Sequence, residues 1–195
     1  MNAPRTQLMF ALLLPIAAHA QNLIGNADFD SNLDQWSVGN DGGSVEWDGT
    51  MGSPAPGSAH LTAGAGIVQR LTQCVALPST LASSVSLSAT VYMFADSNSS
   101  SNSPYGVETY AYAGATCSDA VFYGSNFILQ PVGVATWASV SNNYVSIPGG
   151  YQSMLVTIFV EGGLQTADFA FDHLVLTQVT DRILGTSFDP YEGFQ

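Results

Sequence analysis

Asp172 stands in the stretch Phe169-Ala-Phe-Asp-His-Leu-Val-Leu176, whose β-branched and aromatic residues predict a strand. Period two places it on one face with Leu174 and Leu176, pointing toward a core. An inward carboxylate is costly unless it is hydrogen-bonded or holds a metal. Near the other end, Asn22-Leu-Ile-Gly-Asn-Ala-Asp-Phe-Asp30 brings further carboxylates beside an apolar pair. The reading that links them is that the two segments meet and that Asp172 helps hold a cation at the junction. The EF-hand is not the form it takes. Asp30-Ser-Asn32-Leu-Asp34 alternates oxygens as an EF-hand loop does, but Gln35 stands where the turn glycine is needed and no helices flank it.

Other chemistries find few parts. There is no Gly-x-Ser-x-Gly, no His-Glu-x-x-His and no phosphate loop. Only His60 and His173 lie beyond the leader, so neither a zinc cluster nor a Ser-His-Asp arrangement is indicated. A glycosidase would need two opposed carboxylates, and Glu108 with Glu161 is the pair that predicted strands offer.

The elements that position these residues begin after a leader. Arg5, the apolar run Leu8 to Ala17 and the small-x-small Ala18-His19-Ala20 read as a secretory signal cut before Gln21. The apolar run is too short to span a bilayer, so membrane insertion is not expected. The remaining 175 residues suffice for one domain with a substantial core. They carry no Lys, and fifteen acids against Arg70 and Arg182 leave a net charge of −13. Such a chain repels nucleic acid and anionic lipid and suits a secreted protein, extracellular or periplasmic, that meets cations or neutral ligands. With 46% hydrophobic residues it is a folded composition. In an exported chain the two cysteines, Cys74 and Cys117, are expected to form one disulfide.

A first short strand running into a loop is predicted at 22–30, and further short strands at 44–48, 58–62, 67–71, 85–94, 107–113, 121–129, 135–140, 144–147, 153–161 and 169–176, with Gly/Pro/Ser turns between them. Val85, Leu87, Ala89, Val91 and Met93 form one apolar face; Met154, Val156, Ile158 and Val160 form another. Glu108, Tyr110 and Tyr112 share a face, and Trp36 and Trp137 are expected in the core. The Ser/Asn-rich stretch 96–104 is a loop holding a sequon at Asn98. No amphipathic helix of ordinary length appears, so the fold class is all-β, an antiparallel sandwich over 21–178 with a loosely ordered tail at 179–195.

Several motifs together resemble the galactose-binding-like jelly-roll modules, including xylan- and cellulose-binding modules of bacterial secreted enzymes. Asn22 to Asp30 followed by Leu33-Asp-Gln-Trp36 is similar to their opening. Pro56-Gly-Ser-Ala-His-Leu-Thr62 is similar to their Gly-Ser-x-x-Leu strand, and Phe171-Asp-His-Leu-Val-Leu176 to their closing strand. Gln73-Cys74-Val75, Tyr112-Ala-Gly-Ala-Thr-Cys117 and the Trp137 strand resemble a cysteine-paired version. The resemblance implies a jelly roll and a structural calcium where first and last strands meet, with Asp30 and Asp172 as ligands and oxygens near Gly57 and Ser58 completing the shell. Asp30 is shorter than the family's Glu, and His173 replaces a second Asp. It also implies a non-catalytic carbohydrate-binding module whose partner is a polysaccharide or other glycan. Stacking against sugar rings needs aromatic faces with polar groups beside them. The face bearing Tyr92, Glu108, Tyr110 and Tyr112 is the candidate platform if its strands are adjacent, with Trp47 as a loop-side alternative. The competing reading is a secreted structural or matrix sandwich with the fold and no sugar site.

Overall fold

The computed structural model describes residues 21–39, 41–78, 84–95, 104–118, 132–146 and 150–178. The leader, the sequon, the strand expected at 121–129 and the tail lie outside them. Nine strands are described: β1 (Ser37–Val38), β2 (Ser44–Asp48), β3 (Ser58–Ala63), β4 (Ile67–Ala76), β5 (Ser84–Met93), β6 (Tyr105–Tyr112), β7 (Trp137–Ser146), β8 (Ser153–Gly162) and β9 (Ala167–Gln178). They form two antiparallel sheets, one ordered β1-β4-β8-β6 and the other β2-β3-β9-β5-β7.

Alternation builds the core between the sheets. Val85, Leu87, Ala89, Val91 and Met93 all turn inward on β5, as do Met154, Val156, Ile158 and Val160 on β8. They meet Leu61, Phe169, Phe171, Leu71 and Val107 from the neighbouring strands. Tyr105 stacks on Phe169 with ring centroids 4.4 Å apart, joining the two sheets. Trp36 is buried as expected, its ring 5.5 Å from Phe29.

Three expectations change. The segment 22–30 does lie against β9, but as a turn-rich loop. Leu23 N donates to Leu176 O, Leu174 N donates to Ala27 O, and the Asn22 side chain takes two more ladder bonds. Positive φ at Asn26 (45°) and Phe29 (46°) prevents an extended strand. The β4 strand runs five residues past Leu71, because Gln73 points inward as Gln69 does and carries the alternation on to Val75. Each side-chain amide bonds a neighbouring loop, Gln69 to Gly39 and Gly43 between β1 and β2, and Gln73 to Gly25 in the N-terminal loop. Finally, Trp137 is not core: it opens β7 on the outer face, half-buried beside Tyr92.

Candidate functional site

The outer face of the four-stranded sheet carries a cleft among the described residues. On β6 the inward residues are Val107, Thr109 and Ala111, so Glu108, Tyr110 and Tyr112 point outward together, as the alternation requires. Register then sets their neighbours. Glu108 lies opposite Thr157, which lies opposite Thr72, and Tyr110 lies opposite Leu155. With Arg70 these residues line an open cleft of about 270 Å³. Glu108 is 8% exposed, and burial pushes its carboxyl up while the Arg70 guanidinium draws it partway back. Arg70 is itself tied to Asp41 at 3.1 Å. The result is two phenol rings about 7 Å apart along one strand, beside two hydroxyls, a carboxyl and a guanidinium. Such a surface can stack an apolar ring face and hydrogen-bond the hydroxyls around it.

Tyr92 does not join this platform. Its strand, β5, belongs to the other sheet, and parity places Tyr92 on that sheet's outer face with Ser86, Ser88 and Thr90. Trp47 is also elsewhere. It is 42% exposed at the edge of β2, with its indole N–H donating to Phe29 O at 2.6 Å, and so covers the N-terminal loop. Arg70, Thr72, Leu155 and Thr157 escaped the sequence reading, although Arg70 and Thr72 share parity and Arg70 is one of two arginines beyond residue 20. The carboxylate pair that a glycosidase would need is not assembled. Glu161 lies four residues along β8 from Thr157, the partner of Glu108, which separates the two by about 13 Å along the strands, beyond the span such pairs keep.

Asp172 is buried, 1% exposed, but on the side opposite to the one expected. Between Ser88 and Thr90 the β5–β9 register shifts by one residue, and His173 takes φ 48°. This bulge reverses the alternation, so Leu174 and Leu176 face the core while Asp172 pairs with outward-facing Thr90. The loop after β2 covers it. Ser53 N donates to one carboxylate oxygen at 2.5 Å and His173 N to the other at 2.6 Å. Desolvation nevertheless raises its pKa to about 6.

Ser58 follows in the same row. It stands one step beyond the Ala59–Phe171 pair, fully buried, and its Oγ has no hydrogen-bond partner among the described residues. A buried orphan hydroxyl beside a carboxylate pushed toward neutrality suits a hard cation. Asp48 lies opposite Ser58 and was not foreseen. Asp30 is exposed, though its backbone lies against Gly57. Among the described residues no three acidic, His or Cys side chains group closely enough to hold a metal, so backbone carbonyls would have to contribute. The N-terminal loop and closing strand are fastened at the same place by Asp28 on His173 at 2.7 Å.

Gly57 sets this junction. Its φ is +129°, and a Cβ there would stand 2.5 Å from Phe29 O. Gly57→Ala is expected to cost about 1–3 kcal/mol through strain and displacement of the Phe29–Asp30 turn. Thermal melting checks it, since a loss of that size lowers the midpoint by several degrees.

The bridge between Cys74 and Cys117 is present, with Cα atoms 5.9 Å apart. Searches with the sequence find no matching family model and no matching curated protein. Solved structures do match in shape. The CBM22-1 xylan-binding domain of Paenibacillus barcinonensis Xyn10C superposes with TM-score 0.56 at 14% identity, over 83% of this chain and 96% of that one. A family 61 carbohydrate-binding module in complex with β-1,4-galactotriose gives TM-score 0.52 at 15% identity, over 82% of this chain and 100% of that one. The enzymatically active domain of bacteriophage CBA120 tailspike protein 4 gives TM-score 0.55 at 14% identity, over 81% of this chain, which spans only 21% of that one. At such identities the likeness establishes the fold, and the chain is a jelly-roll β-sandwich of the kind that carbohydrate-binding modules share.

Proposed function

We propose that the protein is a secreted, non-catalytic polysaccharide-binding module that takes its ligand in the cleft on the four-stranded sheet. The observation that carries this is the convergence of Tyr110 and Tyr112 with Glu108, Arg70, Thr72 and Thr157 on one open face. A chain of net charge −12 over its full length disfavours anionic polymers, which points to a neutral glycan. The xylan-binding and galactotriose-bound neighbours are consistent with that class of ligand. Calcium is the structural cofactor in this reading, held by Asp172 with Ser58, with carbonyl oxygens of the Phe29–Asp30 turn and with the Asp30 carboxylate. It would supply the positive charge that the buried carboxylate lacks.

A glycan array and a polysaccharide pull-down test the reading. Tyr110→Ala and Tyr112→Ala are each expected to weaken binding roughly tenfold or more with the melting midpoint unchanged, because half-exposed rings contribute contact area and little core. An array that stays blank across plant, bacterial and algal glycans favours the structural or matrix sandwich instead.

A further inference from the structure

The outward positions of β5 change character along the strand. Ser86, Ser88 and Thr90 give way to Tyr92 and, just past the strand end, Phe94. Register extends this aromatic end across the sheet. Tyr92 lies opposite Trp137 on β7 and opposite Ala170 on β9, and Ala170 lies opposite His60 on β3. The four rings contact in series at interplanar angles of 31°, 73° and 52°, so ring faces and edges alternate along the strip. Centroids are 4.6 Å apart from His60 to Phe94, 5.1 Å from Phe94 to Tyr92 and 5.4 Å from Tyr92 to Trp137. Ala170 points away from the core that Phe169 and Phe171 enter, yet it is completely covered, so it forms the floor of the strip. From β3 to β7 the line spans three strand spacings, about 14 Å.

We propose that this strip is a second binding face, for an uncharged polysaccharide chain, on the opposite sheet from the Tyr110–Tyr112 cleft. One molecule then holds two chains, or one chain twice. The inference goes beyond the cleft and does not depend on it.

Cross-strand aromatic pairs stabilise sheets, but that role needs two rings and not four in line over a small floor. Charge narrows the occupant. His60 bonds Asp168 through its ring nitrogen, so this acid and base offset each other within the strip, and Glu46 lies opposite His60 at its edge. An anionic polymer would meet Glu46 and the net negative chain. A cationic ligand would find the Asp168 carboxylate already engaged by His60, so within the strip itself it meets no acid to pair with. A second copy laid face to face would bring Glu46 and two chains of net charge −12 against like charge. A neutral, hydroxyl-rich chain avoids all three penalties: its ring faces stack on the aromatics, while Ser44 and Thr62, bonded to each other at 2.6 Å, offer hydroxyls alongside.

Titration of the ¹⁵N-labelled intact chain with xylohexaose, cellohexaose and β-1,4-galactotriose tests this. The indole N–H peak of Trp137, assigned with Trp137→Phe, is expected to shift along a saturable curve. The Trp36 and Trp47 peaks, whose N–H groups bond Asn26 O and Phe29 O, should stay still. The Trp137 shift should persist in Tyr110→Ala/Tyr112→Ala and weaken roughly tenfold or more in Tyr92→Ala. A Trp137 peak unmoved by every sugar while the cleft binds overturns the second face alone. So does a shift that vanishes with the cleft tyrosines, or one that follows protein concentration without sugar, which would mean self-association. The wild-type titration stands even if Tyr92→Ala fails to fold.

Discussion

A chain carrying Cys74→Ala and Cys117→Ala is expected to lose roughly 4 kcal/mol of stability, and with it part of its affinity for glycan. The bridge closes a loop of sequence separation 43, which contains β5 and β6 and therefore a strand from each sheet. Cutting it lets the unfolded chain place those two strands independently, and the entropy regained there is the main cost. The link to binding is local. Cys74 follows Thr72 on the outward face of β4, so the bridge sits on the same sheet face as the cleft, next to its lining. Cys117 N donates to Ser153 Oγ at 3.1 Å, that hydroxyl donates to Gly114 O at 2.6 Å, and Ser153 pairs with Tyr112. Urea unfolding with and without reductant gives the stability change. If the unfolding midpoint stays fixed, the reduced unfolded chain is already compact and the entropic account fails.

The two halves of that result separate by a control. Tyr112→Ala leaves the bridge intact and should reduce affinity with little change in unfolding. The double cysteine variant should change both. A cysteine variant that loses stability and keeps full affinity would show that β6 holds its tyrosines in place through the β6–β8 ladder alone.

The inner faces of β5 and β8 were legible because ten-residue strands with one buried face show period two directly. The same rule put Glu108, Tyr110 and Tyr112 together correctly, since they share one strand. It failed for Tyr92 because parity says which side of a strand a residue takes, not which sheet the strand enters. That depends on β9 inserting between β3 and β5, a pairing that joins Tyr92 to Ala170, far apart in sequence. The face of Asp172 was misread for a different reason. A one-residue bulge at His173 leaves no mark on composition, yet it reverses every assignment on one side of it. Gln73 hid the length of β4, because a polar inner position looks like the end of a strand until the loop it bonds is in view.

The burial of Asp172 carries a pH dependence with a definite sign. Its folded pKa is pushed up to about 6 by desolvation, against an ordinary value of 3.8; the amides of Ser53 and His173 oppose the rise, Asp28 adds to it and His173 offsets it. Between these values the unfolded chain has released the proton while the folded chain still holds it. Stability is therefore fully present only below the ordinary 3.8 and falls by about 3 kcal/mol as pH rises past 6 in the metal-free protein. Glu108, also raised by burial, acts in the same direction, so the share of Asp172 is the difference between wild type and Asp172→Asn, which should be flatter. His60, raised by Asp168, contributes stability below its ordinary 6.5 that is lost only higher up the scale. Calcium changes the prediction in a way that no other account does. An ion on the carboxylate favours its charged form, so millimolar calcium should remove the fall and raise the melting midpoint at pH 7, and Asp172→Asn should abolish that rise. A chelated protein with a flat profile from pH 4 to 7 would refute the desolvation argument. A sloping profile that calcium leaves untouched would keep the argument and eliminate the ion.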